Sequence, residues 1–254
     1  MALEIDGIVP ETLTVNGTQV ERLFVDGTEV WQKPVSAQIE FDTDLSGNVI
    51  FTVYGDGVEV DNGDGAYIYY PAGAVDIIPT GTVKLRFGVG MDRISFYDGG
   101  TTDTRNRYTS VTIHDATQLT SMASMFRSLI NMINFNVTDL SSTNNVIDFQ
   151  LAWVSCSSLT SFPGIDTSSG ISFNQTWNGC SGLTSFPAID TSKGTNFANL
   201  WNNCSNLICI SEVNTLGGIA PGIFDNCTSL IAPNASEQTD ILNGYNYVNG
   251  SPCP

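Results

Sequence analysis

Positive charge is scarce in this chain of 254 residues: Lys and Arg total 9 against 26 Asp and Glu, a formal net charge of −17. Beyond residue 116 the only basic side chains are Arg127 and Lys193. A phosphate backbone is bound by Lys and Arg that displace its counterions, so no nucleic acid is expected as a partner. An anionic membrane surface is disfavoured for the same reason. The sequence has no run of 18 or more apolar residues, so no membrane insertion is expected. The start, Met1-Ala-Leu-Glu-Ile-Asp6, lacks the basic and apolar regions of a signal peptide, so the chain is expected to be made in a cytoplasm and released with a particle when the cell lyses. Chemistry-bearing motifs are missing too: there is no Gly-x-Ser-x-Gly elbow, no phosphate loop and no zincin pair. The lone histidine, His114, reads as structural, and Asp166 and Asp190 occupy equivalent turns, where they read as Asx-turn residues rather than a hydrolytic pair. No enzyme, no cofactor and no metal are expected.

Cysteine is present, but not as a metal or disulfide framework. No Cys-x-x-Cys pair occurs, and zinc requires four converging ligands. Cys156, Cys180, Cys204 and Cys227 recur at one phase, which predicts a column of small buried thiols, reduced. Cys253 is the one expected to react if exposed.

The sequence is organised by repetition between about Met122 and Leu230. Trp153-Val-Ser-Cys156-Ser-Ser-Leu159-Thr-Ser-Phe162-Pro163 is followed 24 residues later by Trp177-Asn-Gly-Cys180-Ser-Gly-Leu183-Thr-Ser-Phe186-Pro187, and after another 24 by Trp201-Asn-Asn-Cys204-Ser-Asn-Leu207. Phe126-Arg-Ser-Leu129 and Phe224-Asp-Asn-Cys227-Thr-Ser-Leu230 are looser copies on either side. Fixed periods in the twenties predict a solenoid, in which one coil cannot bury its apolar surface but stacked coils can. Phe149, Trp153 and Cys156 lie at i, i+4 and i+7, as do Phe173, Trp177 and Cys180, and then Phe197, Trp201 and Cys204; each triplet predicts one face of a short helix. That phase places the tryptophans in the core. The spacing then falls to three, through Leu159, Phe162 and Ile165, which predicts a turn and a short extended stretch. Thr160 and Ser161 align with Thr184 and Ser185, a candidate polar ladder for a polymer or glycan.

Met122-Ala-Ser-Met125-Phe126, the aromatic-x-x-Cys-Ser-x-Leu-Thr-Ser units and the Ile-Asp-Thr-Ser turns at Ile165 and Ile189 resemble the BspA-type leucine-rich repeat family. That family occurs in bacterial surface proteins and in bacteriophage proteins, and the resemblance implies adhesion or surface display.

Residues 3 to 31 carry a smaller repeat, in which Ile5-Asp-Gly7, Val15-Asn-Gly-Thr18 and Val25-Asp-Gly-Thr28 recur every ten residues. Asn-Gly or Asp-Gly between alternating apolar residues predicts hairpins. The wording resembles hairpin modules of phage tail and virion proteins, which implies attachment to a larger particle. After the linker Lys33-Pro34, strands are predicted at 38–42, 49–54, 66–70, 83–89, 94–97 and 108–113, a β-sandwich pattern. Val58-Glu-Val-Asp61-Asn-Gly-Asp64-Gly65 resembles the turn of polycystic-kidney-disease-type immunoglobulin-like domains. Asp56, Glu59, Asp61 and Asp64 raise the question of calcium, but their order does not fit an EF-hand, and turn chemistry explains them without a metal.

The expected fold is mainly β with short helices: a β-hairpin module at 1–34, an Ig-like β-sandwich at 35–115, a leucine-rich-repeat-like solenoid at 116–236 and a cap or tail at 237–254. The expected function is that of a non-enzymatic phage virion protein, a tail, fibre or decoration component whose repeats attach to a host-surface glycan or protein. Its first module would bind other virion proteins and it would be oligomeric in the particle. The alternatives are a purely structural virion decoration or spacer, and a bacterial cell-surface adhesin, which would need an export signal.

Overall fold

The computed structural model describes residues 38–55, 57–87, 90–215 and 218–231, with 233, 237, 238 and 241 and the backbone of short strands between 13 and 32 and at 247–248. Two compact units are present, Met1–Ser36 and Ala37–Pro254. In the first, β1 (Leu13–Val15) pairs antiparallel with β2 (Thr18–Val20), placing Val15 opposite Thr18, and β3 (Arg22–Val25) pairs with β4 (Thr28–Gln32), placing Val25 opposite Thr28.

The second unit begins with two sheets. Its strands are β5 (Ile39–Thr43), β6 (Val49–Tyr54), β7 (Val58–Asp61), β8 (Tyr67–Tyr70), β9 (Gly73–Ile77), β10 (Val83–Phe87), β11 (Arg93–Ser95), β12 (Tyr108–Ile113) and β13 (Asn134–Val137). The larger sheet runs β13-β12-β5-β10-β7-β8 and the smaller β11-β6-β9. Period-two burial drives this arrangement: Val49, Phe51 and Val53 of β6 and Val83, Leu85 and Phe87 of β10 are buried, while their neighbours face outward. The sheets meet through aromatic rings, with Phe41 6.0 Å from Phe51 and 5.4 Å from Phe96.

Two of these strands depart from the sequence reading. Val58–Asp61, read as part of a turn, is a strand between β10 and β8, and Gly73–Ile77 is a strand paired with β6 from Val49 to Val53. The Asp-Gly turn therefore begins at Asp61, which is buried and whose Oδ1 accepts from the N–H of Gly63 and of Gly65, both at 2.9 Å. This carboxylate is committed to shaping the turn. Asp56 lies outside the described residues.

From β12 the chain enters the repeats without leaving the core. β13, the extended part of the first repeat, lies parallel to β12 as the edge of the larger sheet. Later repeats continue that edge in fragments, β14 (Ser185–Phe186) parallel to β15 (Cys209–Ile210), and a second parallel ladder links Ser121, Asp148, Ser172, Asn196 and Ile219. Each repeat thus lies directly over the one before.

The aromatic segment of each repeat is not the predicted short helix. No α-helix falls in the aromatic segments: α1 (Thr102–Arg105) precedes the repeats, and Leu140–Thr143 is a 3-10 turn. The N–H groups of Phe149, Leu151, Trp153 and Ser155 instead donate to the next repeat, to the carbonyls of Ser172, Asn174, Thr176 and Asn178 at 2.7–3.0 Å. The intervening N–H groups of Ala152, Val154 and Cys156 donate three residues back. The same alternation recurs from Phe173 and from Phe197. Half of the donors are spent between repeats, so no α-helical ladder can form. The alternation places residues two before and two after each central aromatic at positive φ: Leu151 (60°) and Ser155 (61°), Gln175 (56°) and Gly179 (76°), Asn199 (55°) and Asn203 (63°).

Stacking then puts equivalent side chains in columns. Phe126, Trp153, Trp177, Trp201 and Phe224 form one, with consecutive ring centroids 5.6–5.8 Å apart. Phe149, Phe173 and Phe197 form a second, and Phe135, Phe162 and Phe186 a third. All three tryptophans are fully buried, as their phase predicts. Their indole N–H groups have no hydrogen-bond acceptor, so the column is held by apolar burial and ring contact, at about 1.5–3 kcal/mol per large side chain. The cysteine column is also present: Cys156, Cys180, Cys204 and Cys227 are free thiols, and each Sγ donates to the carbonyl of the aromatic residue one repeat earlier, at 2.9–3.1 Å. Cys209 departs from the expectation of reduced cysteines, because it is disulfide-bonded. Cys253 lies outside the described residues.

A threonine column that the sequence reading passed over closes the far side of each repeat. The hydroxyls of Thr143, Thr167, Thr191 and Thr215 donate to the carbonyls of Asp166, Asp190, Asn214 and Ile241 at 2.6–2.8 Å. These threonines are essentially buried, and each hydroxyl satisfies a carbonyl that the ladder leaves over.

Candidate functional site

The four residues expected to form a polar ladder follow the buried leucines. Thr160, Ser161 and Thr184 are exposed and Ser185 is half-buried. Their backbone is part of the stack, since the Thr184 carbonyl accepts from Ile208 and Ser185 pairs with Cys209. Met132, Leu159, Leu183, Leu207 and Leu230 each donate to the residue three before, which fixes their equivalence. The full row that follows them is therefore Ile133, Thr160, Thr184, Ile208 and Ile231, polar for two repeats and apolar at both ends.

At the next corner the stack forms a groove of about 450 Å³. Its floor is Ile165, Ala188 and Ile189, and its polar lining includes Asp166, Asp190, Ser192, Glu212 and Asn214. A shallower depression along Leu140, Ser141 and Gly164 shares Ile165, Asp166 and Ala188 with it. Asp166 and Asp190 are Asx-turn residues, as their spacing implied: each Oδ1 accepts from the N–H two residues on, at 2.9 Å. Hydrogen bonds from Ser192 hold the Asp190 carboxyl below the usual carboxylate value. This lining accepts hydrogen bonds over an apolar floor, which suits hydroxyl-rich ligands. None of the four predicted ladder residues lines it.

A third surface, also absent from the sequence reading, lies beside the aromatic column. The Asn226 amide donates to Asn203 Oδ1 at 2.9 Å, and the Asn203 amide approaches Asn178 Oδ1 at 3.4 Å. The signal was available in the Asn and Gly residues two positions from Trp177, Trp201 and Phe224, at Gly179, Asn199, Asn203, Gly222 and Asn226, types that tolerate positive φ.

His114 Nε2 lies 3.3 Å from Glu40 Oε2 and its Nδ1 3.3 Å from Thr138 Oγ1. Burial of the thiols, partial at Cys227, pushes Cys156 up to about 12 and Cys227 to about 11, with Cys180 and Cys204 also well above the ordinary value. Among the described residues no group of three His, Cys, Asp or Glu is placed to hold a metal ion, and no helix is long and apolar enough to cross a membrane. No family model, no curated protein and no solved structure matches the chain.

Proposed function

We propose that the chain is a non-enzymatic bacteriophage virion protein, a tail, fibre or decoration component that displays a leucine-rich-repeat-like solenoid for attachment to a host-surface glycan. In this reading the Ig-like sheets are the spacer and residues 1–34 bind other virion proteins. The observation that carries it is the repetition of hydrogen-bonding side chains on successive stacked repeats, Thr160 and Thr184 on one face and Asp166 and Asp190 on another. A polymer of like units can meet such rows register by register, so weak contacts accumulate.

The test is binding of the fluorescently labelled chain to intact host cells, with and without soluble surface polysaccharide. Saturable binding that the polysaccharide competes away is the expected result; absence of binding by folded protein removes the attachment role. Deleting residues 1–34 is expected to leave a folded chain that no longer joins the particle.

A purely structural role in the virion has its own support in the exposed isoleucines. Ile147 and Ile171 are neighbours in one row of the stack and each is 47% exposed; the row continues through Thr195 to Ile219, which is 62% exposed. An apolar row of this kind suits packing against a neighbouring subunit, and replacing Ile147 and Ile171 by Ser would then lower assembly without lowering cell binding.

A further inference from the structure

The arginines of this acidic chain are not used alike. Arg86 and Arg93 meet carboxylates, Glu59 at 3.9 Å and Asp98 at 3.1 Å. Arg105 and Arg127 have no carboxylate within ion-pair distance among the described residues. Yet the fold brings them together: their guanidinium carbons lie 4.6 and 4.7 Å from the centre of the same ring, Tyr97. Two like charges on one ring repel, and cation–π attraction at a half-exposed tyrosine offsets only about 0.5–1 kcal/mol for each. The Nε groups of both arginines are buried without a hydrogen-bond partner. One Arg105 nitrogen donates to the Gly100 carbonyl, whereas the Arg127 head makes no hydrogen bond to a described residue.

Both arginines stand on fixed backbone. Arg105 closes α1, whose cap N–H at Asn106 donates to Thr102 and Thr104. Arg127 follows the central aromatic of the first repeat, its own N–H donating to Ser124 at 3.3 Å, between positive-φ residues Ser124 and Ser128. The result is a pair of planar guanidinium groups brought to one tyrosine ring from fixed backbone, in a chain with 26 Asp and Glu against 9 Lys and Arg. Planar forks suit a carboxylate or a sulfate ester, which they can meet with two parallel hydrogen bonds.

We propose that Arg105, Tyr97 and Arg127 form a subsite for the anionic substituent, carboxylate or sulfate ester, of an acidic surface polysaccharide. The site lies at the start of the repeat stack, so a chain anchored there by its charge can run on over the amides of Asn178 and Asn203. The proposal rests on the attachment reading and specifies the class of glycan. The net charge of −17 opposes diffuse binding of polyanions, so a polyanion that binds must do so locally.

The test is calorimetric titration of the full chain with oligogalacturonate, with dextran sulfate and with unmodified dextran. Saturable binding of one or both charged probes and not of dextran is expected; which one binds separates carboxylate from sulfate. R127A is expected to lose about tenfold or more in affinity, with its circular dichroism unchanged. R127K is expected to fall between, because it keeps the charge and loses the fork. Tyr97→Phe keeps the ring and is expected to bind as the parent does. Failure of the parent to bind either charged probe, or equal binding by R127A and by the double variant R105A/R127A, overturns the proposal. Cell binding measured on the same variants separates the two ideas: cells held equally by R127A retain the attachment reading and remove this subsite.

Discussion

The sheets and the repeats bury aromatic rings in one continuous core by opposite means. Around Phe41 in the sheets the rings meet at mixed angles: 77° with Phe51, 79° with Phe96 and 56° with Tyr108. Within a repeat column they lie almost flat on one another, with 8° between Trp153 and Trp177, 12° between Trp177 and Trp201 and 4° between Trp201 and Phe224, while rings of neighbouring columns meet edge-on in the same way at each repeat, as at 79° between Phe162 and Trp177 and 70° between Phe186 and Trp201. The sheet core is a set of unlike positions, each solved separately, whereas the repeat core is one solution used again. The difference lies in which backbone groups are free: a strand spends its donors sideways along its length, while each aromatic segment divides them between its own turn and the next repeat.

The largest expected effect that separates the two is alkaline. The sheets contain no cysteine, and the repeats bury three thiols and partly bury a fourth, Cys227, with the values of all four raised by desolvation. A thiol ionises near 8.5 in the unfolded chain and far higher when folded, so its contribution is full below that value and is lost as pH rises toward 11–12. Stability is expected to fall by about 1 kcal/mol per pH unit for each thiol, starting below pH 10. Buried Tyr108 adds a loss of the same sign only above pH 10. Urea denaturation at pH 8, 9 and 9.8 checks this; a flat profile would mean the thiols reach solvent.

Next in size is the loss of one ring. Trp177→Ala is expected to cost about 3–5 kcal/mol, and Phe51→Ala in the sheets a similar amount. The conservative changes should diverge. Trp177→Phe is expected to cost under about 1.5 kcal/mol, because Phe126 and Phe224 already occupy that column and the change removes a buried indole N–H that has no acceptor. Phe96→Trp in the sheets, where Phe41, Phe51, Tyr108 and Phe126 already surround the ring, is expected to cost about 1–3 kcal/mol through overpacking. Chemical denaturation midpoints decide between the two behaviours.

Smaller again is the threonine column. The Thr191 hydroxyl donates to Asn214 O and accepts from Asn214 N, both at 2.8 Å. Thr191→Val is expected to cost about 1–3 kcal/mol, since it removes both hydrogen bonds between the buried hydroxyl and the Asn214 backbone, and Thr191→Ser should recover most of it. The smallest effect has the opposite sign. Gln175 holds φ 56° without being Gly or Asn, and Gln175→Gly is expected to stabilise by about 0.5–1 kcal/mol because left-handed strain is relieved. A thermal melt lower than the parent's would show that the side chain contributes more than the strain removes.

What was legible follows the same division. Period-two burial exposed most of the strands, but not Val58–Asp61, whose acids read as turn, nor Gly73–Ile77, whose pairing with β6 is set by partners far away in sequence. In the repeats, phase alone gave the buried tryptophans, the thiol column and the equivalence of Thr160 with Thr184. The short helix was wrong because apolar positions at i, i+4 and i+7 fit both a helix and a turn ladder, and only the destination of alternate N–H groups separates them. The Asn and Gly residues flanking the aromatics carried the missing information. The groove could be read only in part, since Asp166 and Asp190 repeat in sequence while Glu212 joins them through the stack. Tyr97, Arg105 and Arg127 come from unrelated segments, and no local pattern brings them together.

Through-hydrogen-bond scalar couplings in a labelled sample test the repeat stack most directly. Couplings from the Trp153 nitrogen to the Thr176 carbonyl carbon and from Trp177 to Leu200 are expected, because these N–H groups donate across repeats at 2.9 and 3.0 Å. Couplings from the same nitrogens to carbonyls four residues earlier would instead mean that each segment is a helix, and would contradict the shared ladder on which the columns and the surface rows depend.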